Sequence, residues 1–388
     1  MYLKTVRVRG LRSSAEHEIS VTFPGRFSVL VGGNGVGKTT VADAIYLGHG
    51  NTFPRLPRLS AAALGSGDRS IDIEYAYESD PTKEGPLGLR MQAQAGAPKP
   101  GVSAATWRRL LSRDLGSVSA RNEPGHSALD AVRLVYLPAW RNPVDELARR
   151  EVRILVELLR AEQQRMSGSR NLKDLRQRAY AMLEALTRDG IIVAVEERIG
   201  SHLASLSAGV TRQWPYVRGQ VVDDQYLARV LELMLAVLEG RPHARPLEVS
   251  GLGYVNLLHI AVTLAAIPDA AATAAVTTKG DSPEADASER QDQDLGADEG
   301  ELPSDSAASA RAALAQARAE AESAEDSFFP AEEFHVTVVI EEPEAHLHPQ
   351  LQHSLVRHLR RTVAERPELQ VILSSHASDV VTSCRERV

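Results

Sequence analysis

The sequence predicts an α/β fold, a mixed sheet with flanking helices, and three of its stretches carry that prediction. Near the amino terminus, Tyr2 to Val8 and Ile19 to Phe23 alternate apolar and polar residues as half-buried strands do, and Phe27 to Val31 is a short continuous apolar run ending in glycines. From those glycines a helical pattern, Thr39 to Leu47, starts directly. Far along the chain, two β-branched runs, Val336 to Ile340 and Leu369 to Leu373, enclose a helical pattern from about Gln350 to Val363. Strand, helix and strand in that order build a parallel sheet.

Between these landmarks, Ser70 to Tyr77 reads as another half-exposed strand, and the Gly-, Pro- and Ala-rich stretch from Gly85 to Ser103 reads as loop. Leu134 to Leu137 is a short apolar strand before PAWRNP, where Asn142 suits a helix cap and Pro143 the first helical position. Val144, Leu147, Ile154, Leu155 and Leu158 then recur at helical spacing, opening a mostly helical region to about Leu238. That region reads as a packed subdomain or as a dimerisation or DNA-facing arm. Residues 268–333 are rich in Ala, Ser, Asp, Glu and Gly and poor in large apolar side chains, a composition that cannot offset its ordering entropy, so a disordered acidic insertion is expected, with Ala310 to Ala321 able to form a transient helix. The expected organisation is an amino-terminal lobe over 1–140, a helical insertion over 141–240 and a carboxyl-terminal lobe over 241–388 that contains the acidic insertion.

Composition narrows the function classes. A chain of 388 residues with 43% hydrophobic side chains can bury one large or two modest cores. Its net charge of -7 is not that of a protein coating nucleic acid, so any DNA contact needs a local patch, for which Lys4 to Arg12 and Arg149 to Arg153 are the candidates. A single cysteine, Cys384, excludes an intramolecular disulfide and a cysteine metal cluster. No secretory signal and no apolar run of about 18 residues occurs, so no membrane partner and a cytoplasmic location are expected.

The glycines after Val31 begin the run Gly32, Gly33, Asn34, Gly35, Val36, Gly37, Lys38, Thr39, Thr40: a glycine, four residues, then Gly-Lys-Thr. Backbone N–H groups from Gly33 to Lys38 can form a nest around a β-phosphate, aided by the positive end of the following helix. Lys38 would bridge β and γ oxygens, and the Thr39 hydroxyl would ligate Mg²⁺. ATP with Mg²⁺ is the expected ligand pair.

Val336 to Ile340 ends in Glu341, Glu342, Pro343, Glu344, Ala345, His346, Leu347, His348, Pro349. Two carboxylates at the carboxyl end of a parallel strand lie where open α/β sheets bind ligands. Glu341 would orient Mg²⁺ and Glu342 would polarise the attacking water. His346, His348 and His353 also invite a metal reading with these glutamates, against which stands their lack of a tetrahedral zinc spacing. At the end of the next strand, His376 in SSHA can hydrogen-bond a γ-phosphate and the attacking water. Finally, in EVSGLGYVNLLHI, Ser250 and Gly251 would open a helix with free N–H groups, a second anion site able to grasp a γ-phosphate held by another subunit.

GGNGVGKTT, SGLGYVNLL, VVIEEPEAHLHPQ and SSHA together resemble, in order and over Tyr2 to Ser378, the ATPase domain of the overcoming-lysogenization-defect (OLD) family, and more widely the RecF- and SMC-like ABC ATPases. The resemblance implies an ABC-type P-loop ATPase head, ATP-controlled homodimerisation, and service to a DNA-processing or phage-defence nuclease. Relative to the ABC pattern, Glu341 stands where Asp is usual, and only Gln92 and Gln94 are candidates for the glutamine-loop ligand. OLD nucleases continue into a Toprim domain; with the sequence ending at Val388, that nuclease is not expected in this chain. The alternatives are an ATP-switched module that recruits a separate nuclease and, more remotely, a transporter ATPase.

Overall fold

The computed structural model describes residues 1–12, 17–53, 70–80, 82–95, 103–114, 117–122, 131–139, 141–145, 147, 152–206, 214–219, 222–269, 327–330 and 333–385. In chain order the elements are β1 (Tyr2–Arg9), β2 (Ile19–Thr22), β3 (Phe27–Val31), α1 (Lys38–Gly48), β4 (Thr52–Phe53), β5 (Ser70–Glu78), α2 (Pro86–Ala95), β6 (Ser103–Asp114), β7 (Ser117–Asn122) and β8 (Val132–Leu137). A turn of helix α3 (Pro143–Asp145) precedes α4 (Val152–Ser167), α5 (Lys173–Leu186), α6 (Gly190–Leu206), α7 (Asp224–Val230) and α8 (Leu252–Ala266). The chain closes with β9 (His335–Glu341), α9 (Pro349–Glu365), β10 (Leu369–Ser375) and α10 (Ser378–Arg385). The expected acidic insertion, the Ala310 to Ala321 helix and the basic pair Arg149 and Arg150 lie outside the described residues, save the ends of the insertion.

The chain divides into two compact units. The first, Met1–Ile154 with Leu233–Ala270 and Phe328–Val388, holds both sheets. One sheet runs β3-β10-β9-β8-β4 and its pairs are parallel; the other runs β2-β1-β5-β6-β7 and is antiparallel. The α/β class follows, with strands sorted by direction into separate sheets. Every residue of β9 and β10 is buried, as continuous apolar strands covered on both faces must be. In β5, by contrast, Ile71, Ile73, Tyr75 and Tyr77 are buried while Asp72, Glu74 and Glu78 are partly exposed.

α1 packs between the two sheets: Val41, Ala44 and Ile45 share one core with Val6 and Ile73 of the antiparallel sheet and with Val339 and Ile372 of the parallel one. Polar links reinforce that core. The Gln370 side chain on β10 accepts from Leu3 N–H at 2.7 Å and donates to Leu3 C=O at 3.1 Å, completing the backbone of β1. The Tyr77 hydroxyl contacts His49 Nε2 at 2.9 Å and Thr337 Oγ1 at 3.0 Å.

The stretch expected as loop from Gly85 to Ser103 contains α2 instead. Pro86 takes the first helical position, where its missing N–H costs nothing, and Leu87 is buried against the core. The basic segment Lys4 to Arg12 lies along β1 and just after it, facing carboxylates: Lys4 pairs with Glu78 at 3.9 Å, Arg7 with Glu74 at 3.3 Å and Arg12 with Asp43 at 2.7 Å. Two of these partners lie on the neighbouring strand β5 and the third on α1.

The second unit, Leu155–Glu232 with Ala271–Ser327, is helical in its described part. Its interior holds a charge network in which Arg160 donates to Asp224 at 2.8 Å and to Glu157 at 2.9 Å, and Arg170 reaches the other Glu157 oxygen at 2.5 Å. No helix among the described residues is long and apolar enough to cross a membrane.

Ile73 is fully buried where β5 meets α1. Ile73→Ala is expected to cost about 2–5 kcal/mol in denaturant-monitored stability, and a loss under about 1 kcal/mol would contradict the central place given to this core.

Candidate functional site

The parallel sheet brings its strand ends level. Ser374 pairs with Leu30 on β3 and with Glu341 on β9, so the loop after β3, the glutamates after β9 and the serines ending β10 emerge side by side at the carboxyl edge. Glu342 N–H extends the row by donating to Ser374 C=O at 2.8 Å. The result is a cleft of about 240 Å³ lined by Arg12, Asn34, Gly35, Gly37, Lys38, Thr39, Thr40, Glu341, Glu342 and Ser374.

The loop from Gly32 to Gly37 has the shape its glycines permit. Gly35 and Gly37 adopt φ of 81° and 97°, and a Cβ on Gly32 would lie 2.7 Å from Val36 Cγ2. Gly37 is the N-cap of α1, so the N–H groups of Lys38 and Thr39 precede the helical ladder, whose bond from Val41 N–H to Gly37 C=O spans 3.0 Å. Lys38 Nζ arches back to donate to Gly32 C=O at 2.7 Å and Gly33 C=O at 2.8 Å, a position over the loop. Val36 is exposed, as is Val31.

The two glutamates differ in environment. Glu341 is buried, and its Oε2 accepts from the Tyr136 hydroxyl at 2.9 Å and from Ala139 N–H at 3.3 Å. Glu342 is partly exposed and sits at φ 44°. Arg12 has φ 46°, so two of the non-glycine residues forced into the left-handed region line the same cleft. Tyr136 also reaches Asp43 Oδ1 at 3.1 Å, tying the helix of the glycine loop to the acidic strand end. Burial pushes the Asp43 carboxyl up to about 6, with Glu341 adding to the rise and Arg12 opposing it.

His376 stands beside the glutamates, its Nδ1 3.8 Å from Glu342 Oε1 and 3.6 Å from Glu344 Oε1. The other histidines of the motif do not join it. His346 is exposed at φ 62°, His348 is the exposed N-cap of α9, and His353 contacts Ser383 and Asp379, so among the described residues no metal-holding group of three His, Cys, Asp or Glu forms. The turn and the start of α9 carry these side chains apart. Gln92 donates to Ser79 at 3.0 Å and does not line the cleft. Gln94 lies in α2.

Ser250 and Gly251 do not line the cleft of their own chain either. They precede α8, with Gly251 as N-cap and Ser250 Oγ donating to Pro246 C=O at 3.4 Å. Val249, Leu252 and Tyr254 around them are exposed. Behind them, α8 is bonded to the acidic turn. Arg141 donates to Asn256 Oδ1 at 2.8 Å and to Glu341 C=O at 2.7 Å, while Asn256 Nδ2 donates to Pro343 C=O at 3.3 Å and Ala345 C=O at 3.1 Å. A Cβ on Gly253 would lie 2.5 Å from His346 O, so glycine is what allows this approach.

Arg12, Asp43, Tyr136 and Arg141 belong to none of the motifs that mark site residues in the sequence, and Asn256 lies inside SGLGYVNLL without a role being read for it there. The signals available are weak: an Arg at the foot of β1, and an Asn inside an otherwise apolar helix.

Lys38, Thr39, Glu341 and the loop N–H groups fit the anionic tail of a nucleotide with a divalent cation. The loop is concave and rich in donors, and the Glu341 bonds given above both end on one oxygen.

Residues 313–381 match the family described as AAA ATPase domain. No curated protein matches the chain. Among solved structures, the chain is similar to an SMC head bound to the C-winged-helix domain of ScpA, at 12% identity over 99% of this chain and 92% of that one, with a TM-score of 0.46. It is similar also to the SMC head domain from Thermotoga maritima (14% identity, 99% and 92% covered, TM-score 0.35) and to the recombination mediator protein RecF of the RecFOR pathway (11% identity, 98% and 94% covered, TM-score 0.36).

The raised Asp43 carboxyl has a stability signature. Its folded value lies above the unfolded one, so its contribution is present at low pH and lost as pH rises through about 6. Asp43→Asn is therefore expected to gain on the parent by about 1–3 kcal/mol between pH 4 and pH 6.5. Unfolding titrations of both proteins that run parallel across that window would contradict the assignment.

Proposed function

We propose that this chain is an ATP-binding and ATP-hydrolysing head of the ABC type, closing on a second copy of itself around nucleotide. The observation that carries the reading is the cleft in which Lys38 and Thr39 of the glycine loop face Glu341 and Glu342 of a strand some 300 residues later. The match of residues 313–381 to the AAA ATPase domain family supports it.

In this reading the N–H groups from Gly33 to Lys38 bind the phosphates, and Lys38 swings from its loop carbonyls to the β and γ oxygens. Thr39 and Glu341 would hold Mg²⁺, which when bound neutralises charge on the phosphates. Glu342, exposed at the cleft, takes a proton from the attacking water, and His376 hydrogen-bonds the γ-phosphate. Asn34, Gly35 and Thr40 complete the cradle, while Ser250 and Gly251 act on the nucleotide of the second copy. The exposed Val249, Leu252 and Tyr254 around that segment suit burial at a head-to-head contact.

The wider setting follows from the motif resemblance given above: an OLD-like head, with its helical insertion, serving a DNA-processing or phage-defence nuclease and acting on DNA. An ATP-switched module recruiting a separate nuclease is the second reading.

Two variants test the core of the reading. Lys38→Ala is expected to lower ATP affinity at least about 10-fold, the loss of a charge-assisted phosphate contact. Glu342→Gln is expected to keep ATP binding, to lower turnover by about 10²-fold or more, and to accumulate as the ATP-bound dimer in sedimentation. Undiminished turnover by Glu342→Gln would remove Glu342 from its role.

A further inference from the structure

Glu344 is held in a way that the proposed reaction does not yet use. It lies in the turn from Glu342 to His346, whose bonds Ala345 N–H to Glu342 C=O at 3.1 Å and Leu347 N–H to Glu344 C=O at 2.9 Å close it tightly. Its side chain is 7% exposed and turns towards the end of β10. One oxygen, Oε1, accepts from Ser375 Oγ at 2.6 Å, from His376 N–H at 3.1 Å and from Ala377 N–H at 3.3 Å. The other, Oε2, is buried without a hydrogen-bond partner among the described residues.

These donors sit where β10 has ended and α10 is about to begin. Val381 N–H donates to Ala377 C=O, which puts Ala377 at the cap position of α10, and alanine has no side-chain acceptor for the orphan N–H groups there. Glu344, from a different strand end, accepts from the N–H of this cap residue and of His376 before it, and its negative charge suits a helix amino terminus. The consequence falls on His376. Its backbone N–H is tied to Glu344, and its Nδ1 lies between Glu344 and Glu342.

We infer that Glu344 is a positioning residue for ATP hydrolysis: it docks the Ser375–Ala377 segment onto the acidic turn, so that His376 is held as one rigid pair with Glu342, which lines the cleft. The inference rests on the proposed roles of His376 and Glu342. A carboxylate is not required for the docking itself, because all three bonds end on one oxygen and the amide oxygen of glutamine can accept them. Loss of the acceptor is what uncouples the two strand ends: the buried Ser375 hydroxyl and the His376 N–H lose their partner on the acidic turn, Ala377 N–H keeps only its bond to Ser375 Oγ at 3.0 Å, and the imidazole is freed to move by about an ångström, enough to cost up to about 10²-fold in rate.

The test measures ATP turnover and amide hydrogen exchange in the parent and in four variants, with cooperative thermal unfolding checked for each. Glu344→Ala is expected to lose roughly 10- to 100-fold in kcat with KM changed less than about 3-fold, to match His376→Ala, and to add nothing further in the Glu344→Ala/His376→Ala double variant. Glu344→Gln is expected to stay within about 3-fold of the parent and to retain exchange protection at His376, which Glu344→Ala loses. Full kcat in Glu344→Ala beside an impaired His376→Ala overturns the inference and leaves the role of His376 standing, as does a multiplicative double variant or Glu344→Gln as impaired as Glu344→Ala. Full turnover in His376→Ala overturns the reading of His376 instead, and the exchange of the residue 376 amide then decides whether Glu344 docks the segment: unchanged protection in Glu344→Ala refutes it.

Discussion

Everything at the candidate site depends on one hydrogen-bonded row across the parallel sheet, Leu30 to Ser374 to Glu341. Pairing of β10 with β3 on one side and β9 on the other sets the glycine loop, the serines and the glutamates at one height. A slip of one residue would reverse every side chain on the slipped strand. The full burial of β9 and β10 makes such a slip costly, because both faces of these strands are packed. The polar chemistry of the cleft is thereby positioned by apolar side chains that never reach it, Val338, Val339, Ile372 and Leu373 among them.

Around that row the structure accepts local costs. Arg12 and Glu342 hold left-handed backbone that non-glycine residues avoid, at about 1 kcal/mol or more each. Asp43 and Glu341 are two buried carboxylates bridged by the single hydroxyl of Tyr136. Arg12 offsets part of the charge, and burial still lifts Asp43. Such costs fit a site that exchanges protein–protein contacts for contacts with an anion and a cation. The Lys38 ammonium, resting on two loop carbonyls, has partners it can give up without leaving a buried charge alone.

The sequence made local features legible and left tertiary ones hidden. Gly32 to Thr39 could be read because the residue preferences of a tight glycine turn and of a helix start, with a lysine and a hydroxyl beside them, all fall within a few consecutive residues. Glu341 and Glu342 could be read because the β-branched run before them announces a buried strand end. Glu344 could not, since its partners Ser375, His376 and Ala377 lie on another strand and only the fold joins them. Arg141 and Asn256 were hidden for the same reason, being ordinary polar residues until α8 lies against the acidic turn. Helix α2 escaped because its flanks are loop-like in composition, while what fixes it is burial of Leu87 in the core. The histidines of the same motif lack the spacing of a zinc site in the sequence, and the turn and the start of α9 hold them apart.

The central claim is that the glycine loop and the acidic strand end serve one triphosphate. A crystal structure of the chain with Mg²⁺ and a non-hydrolysable ATP analogue tests it most directly. The account predicts phosphate oxygens within hydrogen-bond reach of Lys38 Nζ and the loop N–H groups, and a cation shared by Thr39 and Glu341. An analogue bound away from this cleft, or a cation held by other residues, would contradict it.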